Sequence, residues 1–234
     1  MLNWKPAAIG LSLEGFYFVY ESQIQLLMKK LNLTQQYKTY FTFKTAPEIV
    51  EIEPAQFLSL TGKGDPSEKS FSEKIQALYT VAYAIKFMCK QLDKDFTVSK
   101  LEGLWWYDEN KFGNVSMEEA PKVIARSEWE YRLLIRMPDY IIENDVNRGV
   151  ETAFAKKKLE LIKEIEFFRM NEGKSVQMLH VGPFSKEGET LQEMKKLIEE
   201  NRFQKNGLHH EIYLSDFNRT APDKLKTILR EPVK

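Results

Sequence analysis

Four segments from the first half of this sequence recur in the second half, in the same order. PAQFLSLTGKGDP aligns with SVQMLHVGPF, which places Gln56 on Gln177, and a helical pattern follows each of them. LEGLWWYD then aligns with HHEIYLSD, and RLLIRMPD aligns with KTILREPV, which places Arg136 on Arg230. Ordered recurrence of this kind indicates an internal duplication. Each copy reads strand, helix, strand, strand, so the sequence predicts an α+β fold built from two β-α-β-β units.

Helical periodicity divides the 234 residues further. In the first copy, one apolar stripe is formed by Phe71, Ile75, Leu78, Ala82, Ile85, Met88 and Leu92, spaced three or four apart. A second helical pattern joins the copies. We therefore predict repeat one over about 45–140, a linker helix over about 141–170 and repeat two over about 171–234.

Residues 1–44 match no part of the repeat and form an N-terminal extension. The sequence leaves three alternatives for this extension: a disordered segment, an added strand, or a segment that covers a cleft. Its apolar stretch AAIGLSLEGFYFVY is interrupted by Glu14 and is too short to span a bilayer, and no clear cleavage site follows it. We expect a protein without a signal peptide.

Composition excludes several classes of function. Lys and Arg number 34, as do Asp and Glu, so no basic excess indicates a nucleic-acid partner. Cys89 is the only cysteine, which excludes an intrachain disulfide and a cysteine-based zinc site. We expect a cytoplasmic protein with no membrane or nucleic-acid partner. The oligomeric state stays open.

The second strand of each copy alternates between two faces. Ile212, Leu214, Leu104 and Trp106 share one parity, and we expect them to pack beneath the helices. Glu211, Tyr213 and Trp105 share the other parity, which we expect to face a groove where the two copies meet. Concave, aromatic-lined places with a few polar groups are where small molecules bind. The sequence therefore predicts a ligand cleft beside Glu211.

The chain also resembles a known family. VQMLHVGPFSKEGETL, HHEIYLSDFNRTAPDKLKTILREPV, GKGDPSEKSFSEKIQALYTVAYAIK and EGLWW are similar to stand-alone GyrI-like (gyrase-inhibitor-like) small-molecule-binding proteins, over roughly residues 45–234. The resemblance implies a duplicated, SHS2-like β-α-β-β fold with helices on one face of the sheet and a ligand cleft on the other. In transcription regulators such a domain binds effectors, including multiple cationic, lipophilic drugs. No helix-turn-helix is legible here, which argues against the regulator type.

The resemblance also implies a site. Some stand-alone members detoxify cyclopropane-bearing alkylating toxins by hydrolysis, with a glutamate that activates water, and that glutamate corresponds to Glu211. As a base Glu211 takes a proton from water, and as a binding group it pairs with a ligand cation. The plain alternative is a glutamate on an exposed strand face.

Five further residues are candidate ligand contacts. Trp105 and Tyr213 occupy equivalent positions and are expected to face each other across the groove, where they can stack on a planar ligand. The alternative is that they belong to the core, although Trp106 is the better core candidate by parity. His180 and Met178 share one parity of their strand, and Tyr131 begins a strand that reaches toward the groove.

No metal or cofactor is predicted. His209 and His210 are adjacent in a strand and point to opposite faces, so they cannot easily chelate one ion. Three functions therefore remain: hydrolysis of an electrophilic toxin through Glu211, a non-catalytic sensor or drug-sequestering protein, and a gyrase-inhibitor-type interaction protein.

Overall fold

The computed structural model describes residues 30–234, so most of the N-terminal extension lies outside the described residues. The strands are β1 Leu31–Asn32, β2 Glu48–Ile52, β3 Ala55–Lys63, β4 Phe96–Thr97, β5 Leu101–Trp106, β6 Glu130–Arg136, β7 Glu166–Met170, β8 Gly173–Val181, β9 His209–Tyr213 and β10 Lys226–Pro232. The helices are α1 Leu33–Gln36, α2 Lys38–Phe41, α3 Lys69–Lys90, α4 Glu109–Phe112, α5 Ala120–Val123, α6 Glu143–Lys157 and α7 Glu187–Glu200. None of these helices has the length and apolar character needed to cross a membrane.

Eight strands form one antiparallel sheet in the order β2-β8-β10-β9-β5-β6-β3-β7. The first copy contributes β3, α3, β5 and β6, and the second contributes β8, α7, β9 and β10. The two copies meet where β5 pairs with β9, so the sheet order is symmetrical about that pair. The predicted α+β fold with duplicated β-α-β-β units is confirmed.

The two copies exchange their leading strands. β2 precedes the first copy but pairs with β8 of the second, and β7 precedes the second copy but pairs with β3 of the first. Only two residues separate β2 from β3, with Pro54 among them, and two separate β7 from β8. Ile52 lies opposite Gly173 and Ala55 opposite Met170, so the edges of the sheet meet and the sheet is curled.

The linker is only partly helical. α6 ends at Lys157, and Lys158 follows with a positive φ of 53°, a left-handed conformation that ends helices. A short 3₁₀ helix over Glu160–Glu164 leads into β7. The prediction of helix as far as residue 170 is therefore wrong, because Glu166–Met170 pairs with β3.

The N-terminal segment from residue 30 onward is part of the fold. β1 pairs in parallel with β4, and Leu33, Tyr40 and Phe41 are buried in the main core. Both predicted long helices form: α3 buries Phe71, Leu78, Ala82 and Ile85 against the sheet, while Leu92 lies beyond the helix and is exposed. α7 buries Leu191 and Met194 against the second copy, in a smaller cluster with Val176 and Leu229.

Candidate functional site

Strand register places Glu211 on the face of the sheet that carries the helices. Glu211 lies opposite Gly103, and His209 opposite Trp105, so all four residues project to one face. Phe71 of α3 stacks on Trp105 from that side, with ring centroids 5.9 Å apart. The parity prediction is therefore reversed: the residues expected beneath the helices lie on the opposite face. Trp106, the expected core residue, is only half-buried and donates its indole N–H to Glu130, whereas Trp105 is buried.

Glu211 is largely dry and is paired with a histidine. Glu211 is 9% exposed, and one of its carboxylate oxygens lies 3.3 Å from Nε2 of His209. The other ring nitrogen of His209 lies 2.6 Å from the carboxylate of Glu231. Burial lowers the pKa of His209, but the two carboxylates outweigh it and raise that pKa to about 10. His209 is therefore an imidazolium at neutral pH, held between two carboxylates.

A second glutamate reaches the same site from α7. Glu187 is the first residue of this helix, and its Oε1 is buried with no hydrogen-bond partner among the described residues. Burial, and then the charge of Glu211, raise the pKa of Glu187 well above its usual range, although the His209 imidazolium lowers it. Burial therefore favours the protonated form of Glu187, which lies beside Glu211.

Tyr213 connects Glu211 to the aromatic side chains. Its hydroxyl oxygen accepts a hydrogen bond from the indole N–H of Trp105 at 3.0 Å. Burial and the carboxylate of Glu211, which the hydroxyl contacts, raise the pKa of Tyr213 well above its usual range. Gly103 makes this approach possible, because a Cβ there would lie 2.9 Å from the indole nitrogen of Trp105 and 3.0 Å from the hydroxyl of Tyr213. Trp105 and Tyr213 thus touch each other.

A pocket of about 510 Å³ lies on the far side of Tyr213. That volume falls within the range for drug-sized ligands. Of the site residues predicted from the sequence, Tyr213 lines this pocket. Glu211 does not line it but contacts the hydroxyl of Tyr213. The other walls combine aromatic and aliphatic side chains with polar and charged ones. The apolar walls include Ile75, Tyr79, Tyr83, Leu101 and Phe217, and the polar walls include Lys100, Ser215, Asp216 and Asn218.

The remaining sequence candidates are packed around the site. His180 holds α7, because its Nδ1 lies 2.9 Å from the hydroxyl of Thr190 and its Nε2 lies 3.2 Å from the carbonyl of Pro183. Met178 belongs to the apolar cluster under α7. Tyr131 packs edge-on against Phe71 beside Trp105. None of these three lines the 510 Å³ pocket.

Sequence reasoning missed Glu187 and the role of His209. Glu187 begins a helix, where a carboxylate is ordinarily explained by the helix dipole. His209 was considered only as a metal ligand. Its position two residues before Glu211 in a strand was the available signal, since i and i+2 share a face.

The opposite face of β9 carries a separate buried network. His210 lies between the carboxylates of Glu172 and Glu102, at 2.9 and 3.1 Å, so the two adjacent histidines do point to opposite faces. Arg230 donates to Glu172 at 2.9 Å, and Tyr40 donates its hydroxyl to Glu102 at 2.5 Å. This network joins the N-terminal segment to the centre of the sheet.

Comparison with known proteins agrees with this architecture. A family model described as GyrI-like small molecule binding domain matches residues 136–234. A conserved protein and a hydrolase, both from Listeria innocua, are each 35% identical in sequence over 88% of this chain and all of theirs, with TM-scores of 0.77 and 0.75. The C-terminal domain of EcmrR shares the fold, with 13% identity over 80% of this chain and 96% of that domain and a TM-score of 0.51. A search of curated proteins finds no significant match.

Proposed function

This chain belongs to the GyrI-like family of small-molecule-binding proteins, and from that premise we propose that it binds flat, lipophilic electrophiles and hydrolyses them through Glu211. The substrate class we propose is the cyclopropane-bearing alkylating toxins. The similarity to a protein called a hydrolase supports a reaction rather than binding alone.

One observation carries the proposal: two carboxyl groups, those of Glu211 and Glu187, lie together in a buried site beside His209. Glu211 is paired with His209, while burial raises the pKa of Glu187 well above its usual range and favours its protonated form. Two neighbouring carboxyl groups in different environments are typical of acid–base catalysis. Tyr213 is engaged with Trp105 and Glu211, so Glu187 is the group with a free bonding capacity.

The proposed reaction uses each group once. The flat ring system lies in the 510 Å³ pocket, which Tyr213 lines and Glu211 does not. The side chain of Tyr213, which contacts Glu211, moves aside so that the strained carbon reaches the carboxylate. Glu211 takes a proton from water as the water oxygen bonds to that carbon. The carbon–carbon bond of the cyclopropane breaks, and its electron pair moves into the conjugated carbonyl. Glu187 donates its proton to the resulting enolate oxygen. The proton on Glu211 then returns to Glu187, so both carboxyl groups are restored and the net change is the addition of one water.

Trp105, His180, Met178 and Tyr131 support this site in the proposal. Trp105 fixes the hydroxyl of Tyr213, and Tyr131 packs behind Trp105. His180 and Met178 anchor α7, and α7 positions Glu187.

The decisive experiment follows ring opening in ¹⁸O-labelled water. The full chain is incubated with a cyclopropane-bearing dienone, and mass spectrometry detects the ring-opened alcohol carrying the label. We expect Glu211→Gln to lower turnover by about 10²–10⁴-fold while the compound still quenches tryptophan fluorescence on binding. Glu193→Gln, at an exposed position of α7, is the matched control and should retain full turnover. Unlabelled product, or full turnover in Glu211→Gln, contradicts the mechanism.

A second candidate function is sequestration of lipophilic cations. With Glu187 neutral and His209 charged, Glu211 and Glu231 leave the cluster with one net negative charge. Aromatic walls add attraction for a cation. If the wild-type chain binds a lipophilic cation, Glu211→Gln weakens that binding, and no compound is turned over, then sequestration replaces hydrolysis.

A further inference from the structure

A buried arginine on the other face of the sheet has N–H donors without a hydrogen-bond partner in the described part of the chain. Arg136 ends β6 and is 3% exposed, yet its Nε and Nη1 atoms are buried with no hydrogen-bond partner among residues 30–234. Leaving buried donors of a charged group unpaired is unfavourable, because they lose their hydrogen bonds to water on folding. Such a group in a folded protein needs an explanation, and a bound ion is one.

The internal duplication shows what this position takes when it is complete. Arg230 is the counterpart of Arg136 in the second copy and is equally buried. Its guanidinium donates to the carboxylate of Glu172, the side-chain oxygen of Gln177 and a backbone carbonyl. In the first copy the register differs by one residue: Arg230 lies opposite Gln177, but Arg136 lies opposite Phe57. Gln56 consequently turns away and donates to the carbonyls of Pro138 and Ile141.

A small pocket lies beside the unpaired guanidinium. Its volume is about 70 Å³, enough for a group of a few atoms. The rings of Tyr37 and Tyr40 lie 3.8 and 4.2 Å from the guanidinium carbon and hold it in place. Gln36, Thr39, Ile52 and Glu53 form the remaining walls.

We propose that this pocket binds a small carboxylate-type oxyanion, which fills the place that Glu172 occupies beside Arg230. Guanidinium groups match planar oxyanions in charge and in the direction of their N–H donors. Two acidic residues limit the charge that fits: Glu53 is exposed on the wall, and Asp139 lies next to Tyr37. A single-charged, small anion is therefore favoured over phosphate or sulfate. The site lies on the face opposite Glu211 and is independent of the proposed hydrolysis.

The test uses ¹³C-formate as the probe and the full chain as the protein. We expect the formate resonance to broaden saturably with added protein, at an ionic strength held constant with chloride. Arg136→Gln should weaken formate binding by at least about tenfold, as expected for charged hydrogen bonds. Thr39→Glu places a tethered carboxylate on the pocket wall and should abolish broadening while the melting temperature is maintained or raised.

Arg132→Gln is the matched control. Arg132 lies four residues before Arg136 on the same face of β6, about 13 Å away at the strand rise per residue. It pairs with Glu166 and does not line the pocket, so its replacement should leave formate binding unchanged. Absence of saturable broadening with the wild-type chain overturns the proposal and means that water or Glu53 satisfies the guanidinium. Equal broadening with Arg136→Gln or with Thr39→Glu also overturns it. If Arg136→Gln fails to fold, the Thr39→Glu result decides alone.

Discussion

Replacing Gly103 by alanine tests the contact on which the candidate site is built. The added methyl carbon would lie 2.9 Å from the indole nitrogen of Trp105 and 3.0 Å from the hydroxyl oxygen of Tyr213. Ordinary contacts begin near 3.4 Å, so both groups must retreat by about half an ångström and their 3.0 Å hydrogen bond must lengthen or break. Overpacking of this kind costs about 1–3 kcal/mol, and a weakened buried hydrogen bond adds about 1 kcal/mol. Alanine recovers about 0.5–1 kcal/mol of backbone entropy. We expect a net loss of about 1–3.5 kcal/mol.

Urea unfolding followed by tryptophan fluorescence measures this loss. Tyr213→Phe provides the matched background, because it removes the hydroxyl that clashes with the new methyl group. In that background Gly103→Ala should cost less than in the wild type, by a coupling of about 1 kcal/mol. Ligand binding should weaken in Gly103→Ala because Tyr213 lines the pocket. A change in stability below about 0.5 kcal/mol, or equal costs in both backgrounds, refutes the close packing of Trp105 and Tyr213 over this glycine.

Three further predictions concern the buried charges. Glu187→Gln should raise the free energy of unfolding at pH 8, because the pKa of the wild-type acid is raised in the folded state and the carboxylate form opposes folding. The same change should lower turnover. Urea titration measures the first result and the ¹⁸O-labelling assay the second. The pKa of His209 is raised from 6.5 to about 10. Its stabilising contribution is therefore complete below pH 6.5 and is lost as the pH rises through 10. Glu231→Gln should flatten that part of the plot of unfolding free energy against pH. The pKa of Glu172 is lowered from 4.5 to about 2. Its stabilising contribution of about 3 kcal/mol should therefore be complete above pH 4.5 and be lost as the pH falls through 2. Glu172→Gln should not show this loss when its unfolding is followed by acid titration.

The sequence contains enough local pattern to predict the duplication, the order of elements and the long helix α3. These features depend on the spacing of apolar residues along the chain, and tertiary packing does not change that spacing. The opposite directions of His209 and His210 were predictable for the same reason, because adjacent residues of a strand point to opposite faces.

The identity of the two faces was not predictable from alternation. All five residues of β9 are buried, since helices cover one face and the curl of the sheet and the N-terminal segment cover the other. In such a strand the polar parity does not mark solvent. It marks ion pairs, which Glu211 forms on one face and His210 on the other. Alternation identifies two sets of side chains and leaves open which set meets the helices.

The strand nature of Glu166–Met170 was also invisible in the local pattern. Its partner is β3, more than a hundred residues earlier in the chain, and no spacing within the segment records that pairing. Glu187 escaped for a related reason: its significance lies in the proximity of Glu211 across the fold.

The exchange of β2 and β7 links the two halves of the molecule, because each half supplies the outer strand of the other half's sheet. Cutting the chain within Lys158–Glu164 and producing the pieces separately would leave each with an unpaired outer strand, a surface that invites aggregation. Produced together, the pieces can restore each other's sheet. By the same reasoning, a lone ancestral unit could complete its sheet only by lending its leading strand to a second copy of itself. The present single-chain fold therefore preserves the geometry of a strand-swapped dimer.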